Sequence, residues 1–256
     1  MSLHTIETVS LGTSGLELCR IGCGTGTVAG GGESNQTRLG GGPFNELLRY
    51  AYDRGIRFFD SADAYGTHAH VARAMADRPR DSWQLVTKCG AVGAGPELDG
   101  LIARFADELA THTIDLLQIH CVVDADWPSQ HREQMDAMAE LKSRGVIRAH
   151  GVSCHSVEAL EAAADEPWVD VIHARINPFG VAMDAPADRV VPVLQRAHAN
   201  GKGIIGMKIF GQGELDAVQR AESLAWVSAL ECVDVLLVAF ESPAEVDELL
   251  AQAASD

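Results

Sequence analysis

The sequence is poor in positive charge, which argues against one broad class of partners. Its 256 residues include 20 basic side chains, only four of them lysine, against 36 acidic ones, and the formal net charge is −16. Nucleic-acid binding usually needs a basic face, so we expect no nucleic acid among the partners. An anionic ligand would have to be held by local donors, and each lysine in an apolar setting is therefore a candidate functional residue.

Membrane-spanning segments, secretion signals and disulfide motifs are also missing. No apolar run reaches the roughly 18 residues that a membrane span needs, and the N-terminus lacks the basic-then-apolar pattern of a signal peptide. None of the six cysteines belongs to a C-x-x-C motif, and most lie in or beside apolar runs. We interpret them as reduced thiols and expect a cytoplasmic protein with no membrane partner.

Short apolar runs alternate with amphipathic segments after a Gly-Thr-Ser-Gly turn near the N-terminus. The turn predicts a small β-hairpin, and the alternation predicts eight strand–helix pairs. The strand runs are apolar along their whole length, as in strands that helices cover. We expect the helices at residues 45–54, 68–77, 97–111, 130–143, 157–164, 187–199, 215–230 and 243–252.

Eight strand–helix units in 256 residues match the size of one (β/α)8 barrel. A doubly wound sheet is the alternative, but the even spacing of the eight units favours closure into a barrel. No linker divides the chain. We therefore predict an α/β fold, a (β/α)8 TIM barrel that forms a single domain over residues 1–256.

Residues 22–42 are unusually rich in glycine, with nine in this stretch. The stretch lacks the G-K-[ST] of a phosphate-binding P-loop, and its glycines do not follow the G-x-G-x-x-G spacing. We therefore favour a mobile loop over the barrel mouth and keep a phosphate cradle as the alternative.

Polar side chains end three successive strands of the predicted barrel. Asp60 ends the second strand, Lys88 the third and His120 the fourth, and Tyr65 lies in the loop after Asp60. The active site of such a barrel lies at the carboxyl ends of its strands, so we expect these four side chains to converge on one mouth. An acid, a lysine and a histidine at three successive strand ends form an uncommon combination, which predicts a catalytic site.

These four side chains suit acid–base chemistry on a carbonyl group. Tyrosine and lysine have unperturbed pKa values of about 10 and 10.4, and a neighbouring ammonium can lower the pKa of a phenol by roughly 1–3. We expect Lys88, held by Asp60, to make Tyr65 a general acid near neutral pH. His120 can then orient or polarise the carbonyl oxygen. No side chain donates hydride, so carbonyl reduction would also require a nicotinamide.

The sequence resembles the aldo-keto reductase family along nearly its whole length. The resemblance is carried by “LGTSGLELCRIGCGTGT”, “GIRFFDSADAYG”, “PRDSWQLVTK”, “IDLLQIH” and “RGVIRAHGVSCHS”. The family's catalytic tetrad falls on Asp60, Tyr65, Lys88 and His120. The resemblance implies a barrel closed at the bottom by the hairpin. It also implies an NAD(P)-dependent oxidoreductase that reduces an aldehyde or ketone, or oxidises the corresponding alcohol or sugar.

The resemblance further implies a dinucleotide, NADPH with NADH as the alternative, extended across the barrel mouth. Ser153 would hold the nicotinamide amide, Met207 would stack on the ring, and Lys208 would approach a phosphate. Glu241 lies near where NADPH-preferring members often carry a cation, and a carboxylate there suits a free 2′-hydroxyl. The expected cofactor-binding residues are Gly24, Thr25, Asp60, Ser153, Cys154, His173, Met207, Lys208, Ile209, Phe210 and Gly211.

Two other functions remain open on the residues alone. The same barrel could bind the cofactor as a non-catalytic redox sensor or regulatory subunit. It could also be a cofactor-free lyase or aldolase that uses Lys88 or Lys208. For the leading hypothesis we expect a small-molecule carbonyl substrate, and we expect either a monomer or a homodimer.

Two histidine groupings are weak candidates for a metal site. His68 and His70 open a predicted helix, where residues i and i+2 point to different sides. His155 and Cys154 follow another strand, but no carboxylate–histidine spacing supports them as ligands. We therefore expect no metal.

Overall fold

The predicted β-hairpin opens the part of the chain that the computed structural model describes, residues 6–253. Strand β1 (Thr8–Ser10) pairs antiparallel with β2 (Glu17–Cys19). Gly12 and Gly15 in the turn have φ values of +52° and +77°, a region that glycine enters without strain. A Cβ on Gly12 would overlap the backbone at residues 201–203, so the hairpin packs directly against the bottom of the barrel.

Eight parallel strands close into the predicted barrel. Each strand is hydrogen-bonded to the next along the chain, and the last returns to the first. The (β/α)8 prediction is therefore confirmed, and the doubly wound alternative is wrong. The strands are β3 (Ile21–Gly24), β4 (Phe58–Asp60), β5 (Gln84–Cys89), β6 (Ile114–Val122), β7 (Ile147–Cys154), β8 (Val171–Arg175), β9 (Gly203–Met207) and β10 (Val235–Ala239).

The helices cover the outside of the barrel. The two shortest, α1 and α5, were not predicted, because four residues are too few to show a helical period. Among the described residues no helix is both long and apolar enough to cross a membrane. The helices are α1 (Asn35–Arg38), α2 (Gly41–Asp53), α3 (His68–Met75), α4 (Pro96–Leu109), α5 (Trp127–Gln130), α6 (Arg132–Ser143), α7 (Val157–Asp165), α8 (Ala187–Ala199), α9 (Ala217–Ser228) and α10 (Pro243–Ala253).

The barrel interior is layered, because successive side chains of a strand point to opposite faces. Next to the hairpin lies an apolar layer to which Leu11, Leu16 and Leu18 contribute from below. Two residues further along several of these strands the interior face becomes polar, and this polar layer forms the floor of the mouth. The strand residues of the apolar layer are Phe58, Val86, Leu116, Ala149, Val171, Ile205, Val235 and Leu237. The polar layer above them includes Asp60, Lys88, Gln118 and His173.

The glycine-rich stretch 22–42 is attached to the segments that follow the two strands beside β3. The Gly32 N–H donates to the carbonyl oxygen of Ala64, at 3.0 Å, in the turn before Tyr65. On the other side of β3, after β10, Asn35 Nδ2 donates to the carboxylate of Glu241 at 2.9 Å. The stretch is therefore not one continuous loop, because residues 22–24 belong to β3, residues 35–38 form α1 and residues 41–42 begin α2. The mobility of the remaining residues stays a prediction.

Candidate active site at the barrel mouth

A groove crosses the carboxyl ends of the strands. Asp60, Tyr65, Lys88 and Ser153 line its inner end, residues 207–210 form its floor, and α10 borders its outer end. Because its lining residues run from the polar layer of the barrel to the last helix, a ligand that fills the groove would touch both.

A buried ion pair lies at the inner end. Lys88 Nζ donates to Oδ1 of Asp60 and, at 2.9 Å, to the carbonyl oxygen of Ser61. The side chains of Lys88 and Asp60 are only 2% and 5% exposed. Burial alone would raise the pKa of Asp60, but the neighbouring Lys88 and His173 outweigh it and lower this pKa to about 2. The carboxylate therefore stays ionised and holds the lysine in place.

Tyr65 reaches the inner end from a short 3₁₀ turn, Asp63–Tyr65, that ends at Gly66. Its hydroxyl lies 3.4 Å from Nε2 of His120, and Lys88 Nζ lies 5.2 Å from the centre of its ring. The four predicted side chains therefore do lie together, and their catalytic role stays a prediction, but their electrostatics differ from the expectation. Burial, followed by the negative charge of Asp60, raises the pKa of the Tyr65 phenol well above 10.

The direction of the Tyr65 pKa is thus opposite to the lowering by Lys88 that the sequence predicted. The ammonium of Lys88 is neutralised by Asp60, and that carboxylate also acts on the phenol. The physical consequence is a neutral phenol at rest, which carries a proton that it can donate.

His120 sits where β6 becomes irregular. The pairing of β6 with β7 shifts register between Ile119 and Val122, and Cys121 takes a φ of +61°. Burial, followed by the charge of Lys88, lowers the pKa of His120 to about 4. The imidazole is therefore neutral near pH 7 and can donate one hydrogen bond to a carbonyl oxygen.

His173 does not occupy the place expected for a cofactor ligand. It is fully buried on β8 and its Nε2 lies 3.1 Å from Oδ1 of Asp60, so it belongs to the ion pair beneath the groove. Burial lowers its pKa, which Asp60 opposes. Strand alternation points His173 into the barrel interior among the charged groups instead of to the groove wall, and its contact with a cofactor stays a prediction.

Three more of the predicted cofactor residues lie away from the groove wall. Cys154 faces outward into the core between strands and helices, because the alternation of β7 turns Ser153 inward instead. Thr25 is buried and its hydroxyl donates to the carbonyl oxygen of Asp60 at 2.8 Å. Gly211 is buried, and a Cβ there would press on Val181. The predicted residues that do line the groove are Gly24, Asp60, Ser153, Met207, Lys208, Ile209 and Phe210.

Lys208 is the cation best placed to hold an anion in the groove. It follows β9 with a φ of +61°, and among residues 6–253 no acceptor is bonded to its Nζ. Burial, followed by the charge of Arg175, lowers its pKa to about 8. An unpaired, half-buried ammonium beside the groove floor is a suitable donor for a phosphate oxygen.

The outer end of the groove is acidic, a feature that the sequence showed only at Glu241. Glu245, Glu248, Leu249 and Gln252 also line it. Their spacing of three and four residues places them on one face of α10, and this periodicity was the available signal. Within residues 6–253, Arg220 is the one cation that lines this end. It lies 3.5 Å from a carboxylate oxygen of Glu248, so the three carboxylates leave this end with a net negative charge.

Comparison with known proteins adds an independent line of information. The model of the aldo/keto reductase family matches residues 20–225. The chain is 33% identical over 175 residues to the aldo-keto reductase YhdN of Bacillus subtilis, covering 61% of this chain and 49% of that protein. It is 34% identical over 229 residues to probable aldo-keto reductase 1 of Glycine max, covering 80% of this chain and 64% of that protein.

Solved structures agree in fold. One from Pseudomonas aeruginosa, whose name also places it among the aldo-keto reductases, superimposes with a TM-score of 0.80 at 25% identity. The alignment covers 99% of this chain and 96% of that one. By contrast, the matches to the two curated relatives cover between about half and two thirds of those proteins.

Proposed function

Because this chain belongs to the aldo/keto reductase family, we propose that it is an NAD(P)-dependent oxidoreductase acting on a small carbonyl compound. It would reduce an aldehyde or ketone, or oxidise the corresponding alcohol or sugar. The observation that carries the proposal is the Tyr65 hydroxyl, 3.4 Å from His120 Nε2, at the inner end of a groove lined from the polar layer of the barrel to α10.

In the reducing direction Tyr65 and His120 would act on the same oxygen atom. His120 donates a hydrogen bond that orients the carbonyl, and Tyr65 donates its proton as negative charge develops on the oxygen. A bound nicotinamide supplies the hydride. Lys88, 5.2 Å from the phenol ring centre, then stabilises the phenolate that remains. Asp60 holds Lys88 in position throughout.

The groove residues fit a dinucleotide. Ser153 and Met207 lie at the inner end, where the nicotinamide would meet the catalytic side chains. Lys208 would hold the pyrophosphate with its ammonium, and Ile209 and Phe210 continue the floor towards α10. The adenosine half would then reach the acidic outer end.

The acidic outer end bears on the choice of cofactor. The sequence favours NADPH narrowly, yet three carboxylates, on Glu241, Glu245 and Glu248, line the end where a 2′-phosphate would lie. A carboxylate accepts hydrogen bonds from a ribose 2′-hydroxyl and repels a phosphate. Glu241 is held by Asn35, and Glu245 accepts from the Glu241 N–H at 2.7 Å, so these groups are fixed in place. The geometry therefore supports NADH.

Fluorescence titration should show NADH binding at least about tenfold more tightly than NADPH, a difference of ~1.4 kcal/mol. Glu245→Gln should narrow this ratio, because it removes one charge that repels the phosphate. Glu140→Gln, an exposed acid outside the groove, is the matched control. Tighter binding of NADPH by the unaltered protein would contradict the assignment of the outer end.

The function itself is tested by turnover. Purified protein with NADH or NADPH and a panel of aldehydes and ketones should consume the absorbance of the reduced nicotinamide. Tight cofactor binding without turnover on any substrate would instead favour the non-catalytic regulatory alternative. Borohydride trapping of a substrate on Lys88 or Lys208 would favour the lyase or aldolase.

Gly26 offers a test of how closely the Tyr65 ring must be placed. A Cβ at Gly26 would overlap that ring, so Gly26→Ala should displace the phenol. We expect turnover to fall by roughly 10- to 100-fold, since a misplacement of about 1 Å can cost ~10²-fold. Gly30→Ala is the control, because a Cβ there meets no atom within 4 Å. Equal turnover in both variants would mean that the ring position is not critical.

A further inference from the structure

One cluster of ligating side chains at the mouth is not explained by carbonyl chemistry. A ring nitrogen of His120, Sγ of Cys121 and a ring nitrogen of His155 all lie within 4.8 Å of one another. We propose that these three side chains bind a thiophilic divalent metal ion, Zn²⁺ foremost, and that the bound ion inhibits the active site.

The fold builds this cluster at the irregular end of β6. The left-handed backbone of Cys121, with φ +61°, turns its side chain to the solvent side of the mouth. The Cys121 N–H donates to Ser153 Oγ at 3.1 Å, and the His155 N–H donates to the Val122 carbonyl oxygen at 2.8 Å. These bonds fix the ends of β6 and β7 side by side, which brings the two ligand-bearing residues together.

Cys121 differs from the other five cysteines, all of which are buried, in being exposed. The sequence paired His155 with its neighbour Cys154, but that thiol faces the outer core. The thiol that contacts His155 is that of Cys121, on the adjacent strand β6. No spacing along the chain reveals this contact.

The distances suit tetrahedral coordination. Zn–S and Zn–N bonds of about 2.3 and 2.05 Å, at a tetrahedral angle, place the two ligand atoms about 3.6 Å apart. Cys121 Sγ lies 3.5 Å from His155 Nε2. The rings of His120 and His155 are 6.2 Å apart, with planes at 83°, so both can turn a nitrogen to a common point. One thiolate and two imidazoles suit Zn²⁺ or Co²⁺ and not the oxygen-seeking Mg²⁺ or Ca²⁺.

Arg175 works against metal binding through its hydrogen bond to His155. Its Nη2 donates to Nδ1 of His155, which leaves the imidazole proton on Nε2, facing Cys121. A metal on Nε2 moves that proton to Nδ1, so Arg175 must release His155, while its Nη1 stays on Asp184 at 2.8 Å. The thiol proton of Cys121 goes to the buffer as the sulfur–metal bond forms. Arg175 therefore weakens binding without preventing it.

The inhibition follows from shared use of His120. An imidazole that is bonded to a metal can no longer orient a carbonyl oxygen, and the ion would lie beside the Tyr65 hydroxyl. Only this consequence depends on the proposed oxidoreductase function. Metal binding itself does not, and can be measured without substrate or cofactor.

Metal-free protein titrated with Zn²⁺ against a chromophoric chelator should bind one equivalent. Co²⁺ should give the intense visible bands of a four-coordinate ion and a thiolate charge-transfer band. Cys121→Ser should abolish the charge-transfer band and, like His155→Gln, weaken Zn²⁺ binding by more than about tenfold. His112→Gln, an exposed histidine outside the cluster, is the control. The double variant Arg175→Met/Asp184→Asn, which removes the opposing cation without leaving a buried acid unpaired, should bind Zn²⁺ more tightly.

The proposal is wrong if the unaltered protein binds no Zn²⁺ at up to about 1 mM metal. It is also wrong if the double variant Cys121→Ser/His155→Gln binds Zn²⁺ as tightly as the unaltered protein does. If turnover is found, Zn²⁺ should inhibit it, and Cys121→Ser should relieve the inhibition. If no turnover is found, the oxidoreductase proposal fails while the chelator and Co²⁺ measurements still decide the metal site.

Discussion

Tyr65→Phe should reduce turnover by roughly 10²–10⁴-fold, the usual contribution of a general acid or base. The substitution removes the hydroxyl that lies 3.4 Å from His120 Nε2 and keeps the ring that packs beside Gly26. Because no other phenol lines the inner end of the groove among the described residues, no side chain can replace the lost proton donor. Steady-state rates with saturating cofactor measure the effect.

Cofactor affinity separates this chemical role from a structural one. Titration should give nearly the same dissociation constant for Tyr65→Phe and for the unaltered protein. Tyr50→Phe, which removes a hydroxyl bonded to Asp247 at 2.7 Å outside the groove, should leave turnover unchanged. Turnover at the unaltered level in Tyr65→Phe would show that the acid has been assigned to the wrong residue.

Asp60→Asn should destabilise the protein by about 3–5 kcal/mol, the typical effect of removing one partner of a buried ion pair. Lys88 is 2% exposed, so its charge would remain buried with only neutral hydrogen-bond partners nearby. His173 would also lose its contact with the Asp60 carboxylate. The free energy of unfolding from denaturant titration measures this loss, and turnover should fall with it because Lys88 is no longer held.

A double variant distinguishes the two effects. Asp60→Asn/Lys88→Met removes both charges, so it should recover much of the lost stability, yet turnover should stay low because the ammonium near Tyr65 is gone. Recovery of both quantities would mean that the pair serves the fold alone. If Asp60→Asn and the double variant had the same free energy of unfolding, the unpaired buried charge of Lys88 would not be the cause of the lost stability.

The same pair predicts a pH dependence of stability. The pKa of Asp60 is lowered to about 2 in the folded protein, against about 3.9 in an unfolded chain. A lowered pKa stabilises the folded state above the unfolded value, and this contribution is lost as the pH falls from about 4 towards 2. The Asp60→Asn/Lys88→Met variant lacks the Asp60 carboxylate, so its free energy of unfolding should fall less over the same pH range.

The polar side chains at the carboxyl ends of the strands could be predicted from the sequence, because their positions depend on local patterns. Apolar runs mark the strands, and barrel closure brings their carboxyl ends together, so Asp60, Lys88 and His120 had to approach one another. Helical spacing likewise places Glu245 and Glu248 on one face of α10, but only the packing of α10 against the barrel turns that face to the groove.

The side of a strand to which a residue points was harder to predict, because a shift of one residue along the strand turns the side chain to the opposite side. Cys154 and His173 were expected at the cofactor, yet the first faces the outer core and the second lies against Asp60. The irregularity in β6 had no sequence signal, and it is this feature that presents Cys121 to His155.

The repeat of strands and helices and the family motifs were therefore enough to determine the barrel, the family and the four side chains at its mouth. The tertiary structure alone decided the direction of the Tyr65 pKa, the partner of His173, the acidity of the outer groove and the grouping of Cys121 with two histidines. The reason is physical: periodicity acts between neighbours in the chain, whereas charge, burial and ligation depend on distances between residues that the sequence separates widely.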